Sequence, residues 1–223
     1  MRLSIVIPTL DEAQGLRGPL RKALAEADEV CVSDGGSRDG TVALAESLGA
    51  RVVTGPPGRG GQLNRGASAT QGDVLLFLHA DTELPDQAAE TIRQALDTGA
   101  VGGGFSLRFA GQHRTMDLFA ANINRRTRLT QCPLGDQAHF VRRQVFEDLG
   151  GYRDWPILED LDFARRLKQA GPVTVLEPPV VTSPRRYLER GPWRTVATNW
   201  LLFALFGLGV PPRRLGHLYR HIR

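Results

Sequence analysis

Apolar and polar positions alternate along the first hundred residues in blocks that change period as they go. Leu3–Ile7 is a short apolar run closed by Pro8 and followed by Asp11 and Glu12, after which Leu16, Leu20 and Leu24 recur at helical spacing. Glu29–Val32 predicts a second strand, stopped by Asp34-Gly35-Gly36; Thr41–Leu48 predicts a helix closed by Gly49, and Arg51–Val53 a third strand. Val74–Leu78 is apolar at all five positions. A strand apolar on both sides is covered on both faces, so the pattern predicts an α/β fold with a mostly parallel central sheet flanked by helices.

Beyond about residue 100 the pattern changes. Val101–Phe109 predicts a strand entered through a glycine-rich bend, His139–Val141 another, and Glu159–Gln169 a helix ended by Gly171-Pro172. The simplest division is a catalytic-type domain over 1–190, with halves at about 1–100 and 101–190, and a C-terminal apolar helix with an arginine-rich tail over 191–223. Within that tail Val196–Val210 carries Trp200-Leu201-Leu202-Phe203-Ala204-Leu205-Phe206 between Arg190 and Arg194 on one side and Arg213 and Arg214 on the other. This run is short for a bilayer span. It reads as a buried helix, an oligomer contact such as a homodimer surface, or a peripheral membrane contact through 196–210.

Composition narrows the picture only a little. The 223 residues are 41% hydrophobic and 23% charged, as in ordinary globular proteins, which excludes disorder and coiled coil as descriptions of the chain. The net charge of +4 comes almost wholly from arginine, since Lys22 and Lys168 are the two lysines. Spread along the chain it makes no basic stripe, so nucleic acid is not an expected partner. Cys31 and Cys132 stand about a hundred positions apart, which excludes a disulfide scaffold and a cysteine zinc site and fits a reducing, cytoplasmic setting.

In an open parallel sheet ligands bind beyond the carboxyl ends of the strands. Every early strand here delivers polar residues to that edge: Pro8, Thr9, Asp11 and Glu12 after the first; Asp34 to Thr41 after the second; Gly55 to Gln62 after the third; His79-Ala80-Asp81 after the fourth. Gly58-Arg59-Gly60-Gly61 suggests a phosphate cradle, yet it lacks the Lys-Ser/Thr of a P-loop, and Leu63 stands where a dinucleotide fingerprint has its last glycine. It can still bring backbone N–H groups and Arg59 to a pyrophosphate at a helix start. Asp81 is expected at the sheet edge, as a cap or as a ligand for magnesium or manganese. His79, two residues before it, is expected to point the same way. Glu159-Asp160-Leu161-Asp162 is either an acidic helix start or the place of a general base.

Taken in order, Ile5-Val6-Ile7-Pro8-Thr9-Leu10-Asp11-Glu12, Ser33-Asp34-Gly35-Gly36-Ser37-Arg38-Asp39-Gly40-Thr41, Leu78-His79-Ala80-Asp81-Thr82, Gly135-Asp136-Gln137 and Leu158-Glu159-Asp160 resemble the family 2 glycosyltransferases of the GT-A fold. The wording of residues 58–67 and of His79-Ala80-Asp81 also resembles a small bacterial subgroup labelled radical-SAM/selenodomain-associated or arsenosugar-biosynthesis transferases. The resemblance implies an inverting transfer from a nucleotide sugar, most often a UDP-sugar, with a divalent cation, Mn²⁺ or Mg²⁺. Pro8, Thr9, Glu12, Asp34 and Gly35 would hold the nucleoside, and Arg59, Asn64, His79 and Ala80 would border the nucleotide. Asp81 matches the last acid of the family's metal motif, whose first acid is His79 here. Asp160 matches the catalytic base, with Glu159 beside it, and Gly135, Asp136 and Gln137 would line the acceptor side. Arg185 or Arg186 could help neutralise the leaving group.

Two other readings compete. A sugar nucleotidyltransferase needs a catalytic lysine near the first strand, where this chain has Arg17, Arg21 and Lys22 on a predicted helix. A non-catalytic nucleotide-sugar-binding protein would use the same acids only to bind or cap. The acceptor, small-molecule or lipid-linked, is not legible.

Overall fold

Strands β1 (Leu3–Thr9), β2 (Glu29–Asp34), β3 (Arg51–Thr54) and β4 (Val74–Phe77) form where the apolar runs predict them. In the computed structural model, which describes residues 1–222, they lie side by side and all parallel, in the order β3-β2-β1-β4. Position 223, the end of the expected tail, lies outside the described residues. Helices α1 (Arg17–Glu26), α2 (Thr41–Ser47) and α3 (Arg59–Ser68) connect these strands. Side chains of β1 and β4 alternate between two cores: Ile5, Ile7 and Leu76 join the larger one with Leu20 and Ile92, whereas Val6, Leu75 and Phe77 face Phe146, Tyr152 and Phe163. Both faces are therefore covered, as unbroken apolar strands require.

Across β4 the sheet turns mixed. After the two-residue β5 (Thr82–Glu83) and α4 (Ala88–Asp97) come β6 (Gly102–Phe109), α5 (Arg114–Thr130), a single 3₁₀ turn at Gly135–Gln137, and β7 (His139–Arg142). β7 runs antiparallel to both β4 and β6, and β8 (Val173–Thr182) lies parallel to β6 with β5 antiparallel on its outer side. The eight strands make one sheet, β3-β2-β1-β4-β7-β6-β8-β5. The sheet is thus mostly parallel, as the apolar runs predict: β1 to β4 and the β6–β8 pair are parallel, and β7 and β5 run against their neighbours. β8 escapes a sequence reading because Pro178-Pro179 interrupts it; an irregularity in β6–β8 register between Phe105 and Leu107 accommodates the break.

Helices α6 (Arg143–Asp148) and α7 (Glu159–Ala170) cover one face, and α8 (Arg185–Arg190), α9 (Pro192–Gly207) and α10 (Pro212–Ile222) follow β8. The apolar run of the tail is α9. Leu202, Phe203 and Phe206 pack with Leu158, Leu161 and Leu215 in a third apolar cluster, so one side of α9 is core. Its other side is open, with Trp193 70% and Leu201 47% exposed. Among the described residues no helix is long and apolar enough to cross a membrane.

The glycine-rich stretch before α3 serves packing. Gly60 lies in the first turn of α3, and a Cβ there would collide with the backbone carbonyl of Arg153. The expected phosphate cradle is in this respect a helix-to-loop contact, because only a residue without a side chain lets the two backbones approach. Gly60→Ala is expected to destabilise the fold by about 1–3 kcal/mol, the usual cost of overpacking, read as a lowered urea midpoint with an unchanged slope.

Candidate active site

Two groups of polar residues stand at the carboxyl edge of the sheet. In the first, Asp34 ends β2 almost fully buried and accepts hydrogen bonds from the Gly36 and Ser37 backbone N–H groups (2.7 and 2.8 Å), from the Thr9 hydroxyl (3.0 Å) and from the Ser37 hydroxyl. Burial alone would raise its pKa, but these donors together hold it below the ordinary aspartate range. Thr9 and Gly35 join the same lattice, since the Gly35 N–H donates to the Thr9 carbonyl at 2.9 Å. Pro8 pairs with Ser33 in the β1–β2 register. Glu12 lies nearby with its carboxylate 3.5 Å from Arg185, and burial pushes its pKa up, aided by the negative charge of Asp81.

Among the described residues no three His, Cys, Asp or Glu side chains gather as metal ligands. Asp81, with Glu12 near enough to feel its charge, is the acidic donor set at this edge. One or two carboxylates fit an ion such as Mg²⁺ or Mn²⁺ that takes its other ligands from phosphate and water. β4 ends at Phe77, and the Thr82 N–H closes a turn on the His79 carbonyl, so His79 and Asp81 lie in a turn beyond the strand. Ala80 is buried in the larger core, where it supports that turn.

The second group surrounds a cavity of about 440 Å³ between α3, α5, α7, α8 and α9. Here Arg59, the first residue of α3, places its Nε 3.2 Å from a Glu159 carboxylate oxygen. Asp160 accepts the Gly135 N–H at 3.0 Å and its own neighbour's N–H, from Leu161, at 2.8 Å. Gly135 is the hub: a Cβ on it would stand 2.5 Å from an Arg59 guanidinium nitrogen, 3.0 Å from His79 Nε2 and 3.2 Å from Asp160 Oδ2. Asp136, Arg126 and Arg186 complete the polar lining. Two buried atoms here, His79 Nε2 and Asp136 Oδ1, have no hydrogen-bond partner among the described residues.

Electrostatics divide the acids. Burial raises Glu159 to about 7, with Arg59 pulling against it and Asp160 adding to it. Burial also acts on Asp160, yet Arg59 and the Gly135 and Leu161 N–H donors more than offset it, leaving Asp160 below the usual range and ionised at neutral pH. Asp136 is raised by burial and by the Asp160 charge. His79 is driven well down by burial and by Arg59, and so is neutral. The two adjacent carboxyl groups are thus held in opposite directions from their ordinary range, Glu159 up and Asp160 down.

Behind the acids, His139 Nε2 donates to the Pro133 carbonyl at 2.8 Å, which leaves Nδ1 to accept from the Tyr152 hydroxyl at 2.9 Å. Tyr152 stacks on Phe163 of α7 at 4.3 Å, steadying the helix that carries Glu159 and Asp160. Two expected contact residues also brace the fold. Asn64, expected at the nucleotide, is clipped to the Tyr152 backbone by hydrogen bonds of 2.8 and 2.9 Å. Gln137, expected on the acceptor side, is fully buried, bonded to Thr127, Leu134 and Phe105. Arg59, expected beside the diphosphate, is paired with Glu159 and lines the cavity. Arg126 and Trp200 reach the cavity from helices with no motif to announce them.

Residues 4–150 match the model of glycosyl transferase family 2, and the chain belongs to that family. A PGL/p-HBAD biosynthesis glycosyltransferase of Mycobacterium bovis is 30% identical over 185 residues, 72% of this chain and 67% of that protein. An uncharacterized glycosyltransferase of Rickettsia bellii is 37% identical over 92 residues, 41% of this chain; the match spans about a third of that relative's length, 31%. Among solved structures, TarS of S. aureus superposes with a TM-score of 0.63 at 20% identity, over 85% of this chain and 63% of that one, a likeness of fold. Glucosyl-3-phosphoglycerate synthase from Mycobacterium tuberculosis, solved with Mn²⁺, UDP-glucose and phosphoglyceric acid, is 26% identical with a TM-score of 0.50, over 65% of this chain and 58% of that one. The fold is GT-A, as the motifs imply.

Because Glu159 titrates higher folded than unfolded, its contribution to stability is complete at acid pH and is lost as pH rises from the ordinary glutamate range through about 7. Glu159→Gln removes that dependence. Melting temperatures measured between pH 4.5 and 8 should show wild type losing ground to the variant as pH rises; parallel curves would refute the raised carboxyl.

Proposed function

We propose that the protein is a metal-dependent inverting glycosyltransferase, moving a sugar from a UDP-type donor to an acceptor hydroxyl with Asp160 as general base. The observation that carries this reading is the Asp160 carboxylate, ionised and oriented by two backbone N–H groups at the wall of a cavity large enough for a small acceptor. Asp160 takes the hydroxyl proton as the acceptor oxygen bonds to the anomeric carbon. The bond from that carbon to the diphosphate breaks on the opposite face, and the nucleoside diphosphate leaves with the electron pair. His79, held neutral, and Asp136 each have an unsatisfied buried atom near this point and orient the reacting hydroxyl or its neighbours. Glu159 acts through Arg59, holding the guanidinium that keeps Asp160 ionised.

Pro8, Thr9, Glu12, Asp34 and Gly35 take the nucleoside at the ends of β1 and β2. Asp81, with Glu12, would hold a divalent cation, Mn²⁺ or Mg²⁺, which when bound supplies positive charge against the diphosphate. The synthase solved with Mn²⁺ and UDP-glucose supports this choice of donor and ion. Lys22 pairs with Asp86 at the surface, which disfavours the nucleotidyltransferase reading because its catalytic lysine would have to face the site. A small soluble acceptor suits the narrower subgroup resemblance of residues 58–67 and 79–81. A lipid-linked one would use the open side of α9 as a peripheral membrane contact.

Asp160→Asn is expected to lower transfer by about 10²–10⁴ while leaving a Mn²⁺-dependent thermal shift with UDP intact. Asp81→Ala should lose that shift. Near-normal turnover in Asp160→Asn, measured with a panel of UDP-sugars, would reject the base assignment.

A further inference from the structure

The cavity that holds Asp160 has walls of two kinds. The start of α7, the turn at Gly135–Gln137 and the end of β4 bring the polar groups, among them His79 Nε2 and Asp136 Oδ1, buried without a hydrogen-bond partner among the described residues. Helices α5 and α9 bring an apolar wall: Phe119 and Ile123 from the first, Val196, Trp200 and Phe203 from the second. These side chains belong to two separate clusters. Phe119, Ile123 and Val196 go with the larger core, and Phe203 with the third cluster around Leu158 and Leu202. The cavity therefore lies where two cores meet, and its apolar wall is held from both. Ring contacts steady it further, Trp193 edge-on to Phe119 at 5.1 Å and Trp200 edge-on to Phe203 at 6.4 Å.

Each guanidinium in the lining already has a partner in the fold. Arg59 is paired with Glu159, Arg126 donates to the Thr127 hydroxyl at 3.0 Å, and Arg186 stands 5.7 Å over the Tyr187 ring. The amides of the lining are Asn122, which is exposed, and Asn199, which is half-buried. A sugar or other polyol laid against Phe119, Ile123 and Phe203 would leave hydroxyls without partners, a cost that an apolar body does not meet.

We infer that the acceptor is an amphipathic alcohol: one hydroxyl group reaches Asp160, His79 and Asp136, and an apolar body lies between α5 and α9. This rests on the reading of Asp160 as the base for an acceptor. The hydroxyl is carried either by an aromatic ring or by an alkyl chain.

The test titrates the full chain calorimetrically, without donor sugar, with para-alkylphenols and primary alkanols from propyl to hexyl. One molecule should bind per chain, with a negative heat-capacity change. Affinity should rise about fourfold for each added methylene, the usual effect of burying that group. Ile123→Gln and Val196→Gln, both at half-buried positions, should each bind the hexyl probes about tenfold more weakly, because the wall then holds an unpaired amide. If these variants melt early, Trp200→Ala, at an exposed position and expected to show a smaller loss, takes their place. Tighter binding of the phenols assigns an aromatic acceptor, and tighter binding of the alkanols an alkyl one. No saturable binding, affinity independent of chain length, equal binding by wild type and variants, or displacement by glucose or glycerol overturns the proposal. Turnover of Asp160→Asn with the UDP-sugar panel keeps the two claims apart. Probe binding with near-normal turnover rejects the base, whereas lost turnover without probe binding rejects the apolar acceptor.

Discussion

Arg59 between Glu159 and Asp160 is the contact on which the site depends. Three carboxyl groups, those of Glu159, Asp160 and Asp136, share one part-buried cavity, and such groups cannot all ionise without cations among them. Arg59 takes the closest place, 3.2 Å from Glu159, and its charge is the largest influence lowering Asp160. The guanidinium belongs to α3 and the acids to α7, about a hundred residues further along the chain. An electrostatic requirement thereby becomes a structural one, fastening the two helices together. Gly135 allows the close approach, because a side chain there would occupy the space where Arg59, His79 and Asp160 meet.

The same logic extends to the chain after β8. Arg185 and Arg186 are neighbours, yet one guanidinium faces Glu12 and the other lines the cavity of Asp160. Helix α8 therefore joins the two polar groups at the sheet edge. The buried side of α9 then closes the cavity with Trp200 and Phe203, so the tail is part of the site and not an appendage to it. What read as an isolated apolar run has a face that only the packing of Leu158, Leu202 and Leu215 makes intelligible.

Much of the fold was legible in the chain because burial on two faces leaves a distinctive pattern. The runs Leu3–Ile7 and Val74–Leu78 could only be central strands, and the acids after them could only reach the ligand edge of a parallel sheet. Asp34, Asp81 and Asp160 stood out for the same reason, as carboxylates set immediately beside apolar segments. Less legible were β8, whose prolines mimic a break, and the direction of β7, which pattern does not encode. The backbone bonds of Asn64 and Gln137 were not legible either, because which backbone an amide meets depends on what packs over it.

The chain by itself determined the α/β class, the polar edge and the family, since these follow from periodicity, local turn chemistry and ordered motifs within short stretches. Tertiary structure alone decided which charges meet. Arg59, Arg126 and Arg186 come from helices far apart in sequence and converge on one cavity, where burial raises Glu159 and the Arg59 charge helps to hold Asp160 down. A pKa or a cavity depends on distances through space and on exclusion of water, and neither is written in the spacing of residues along a chain.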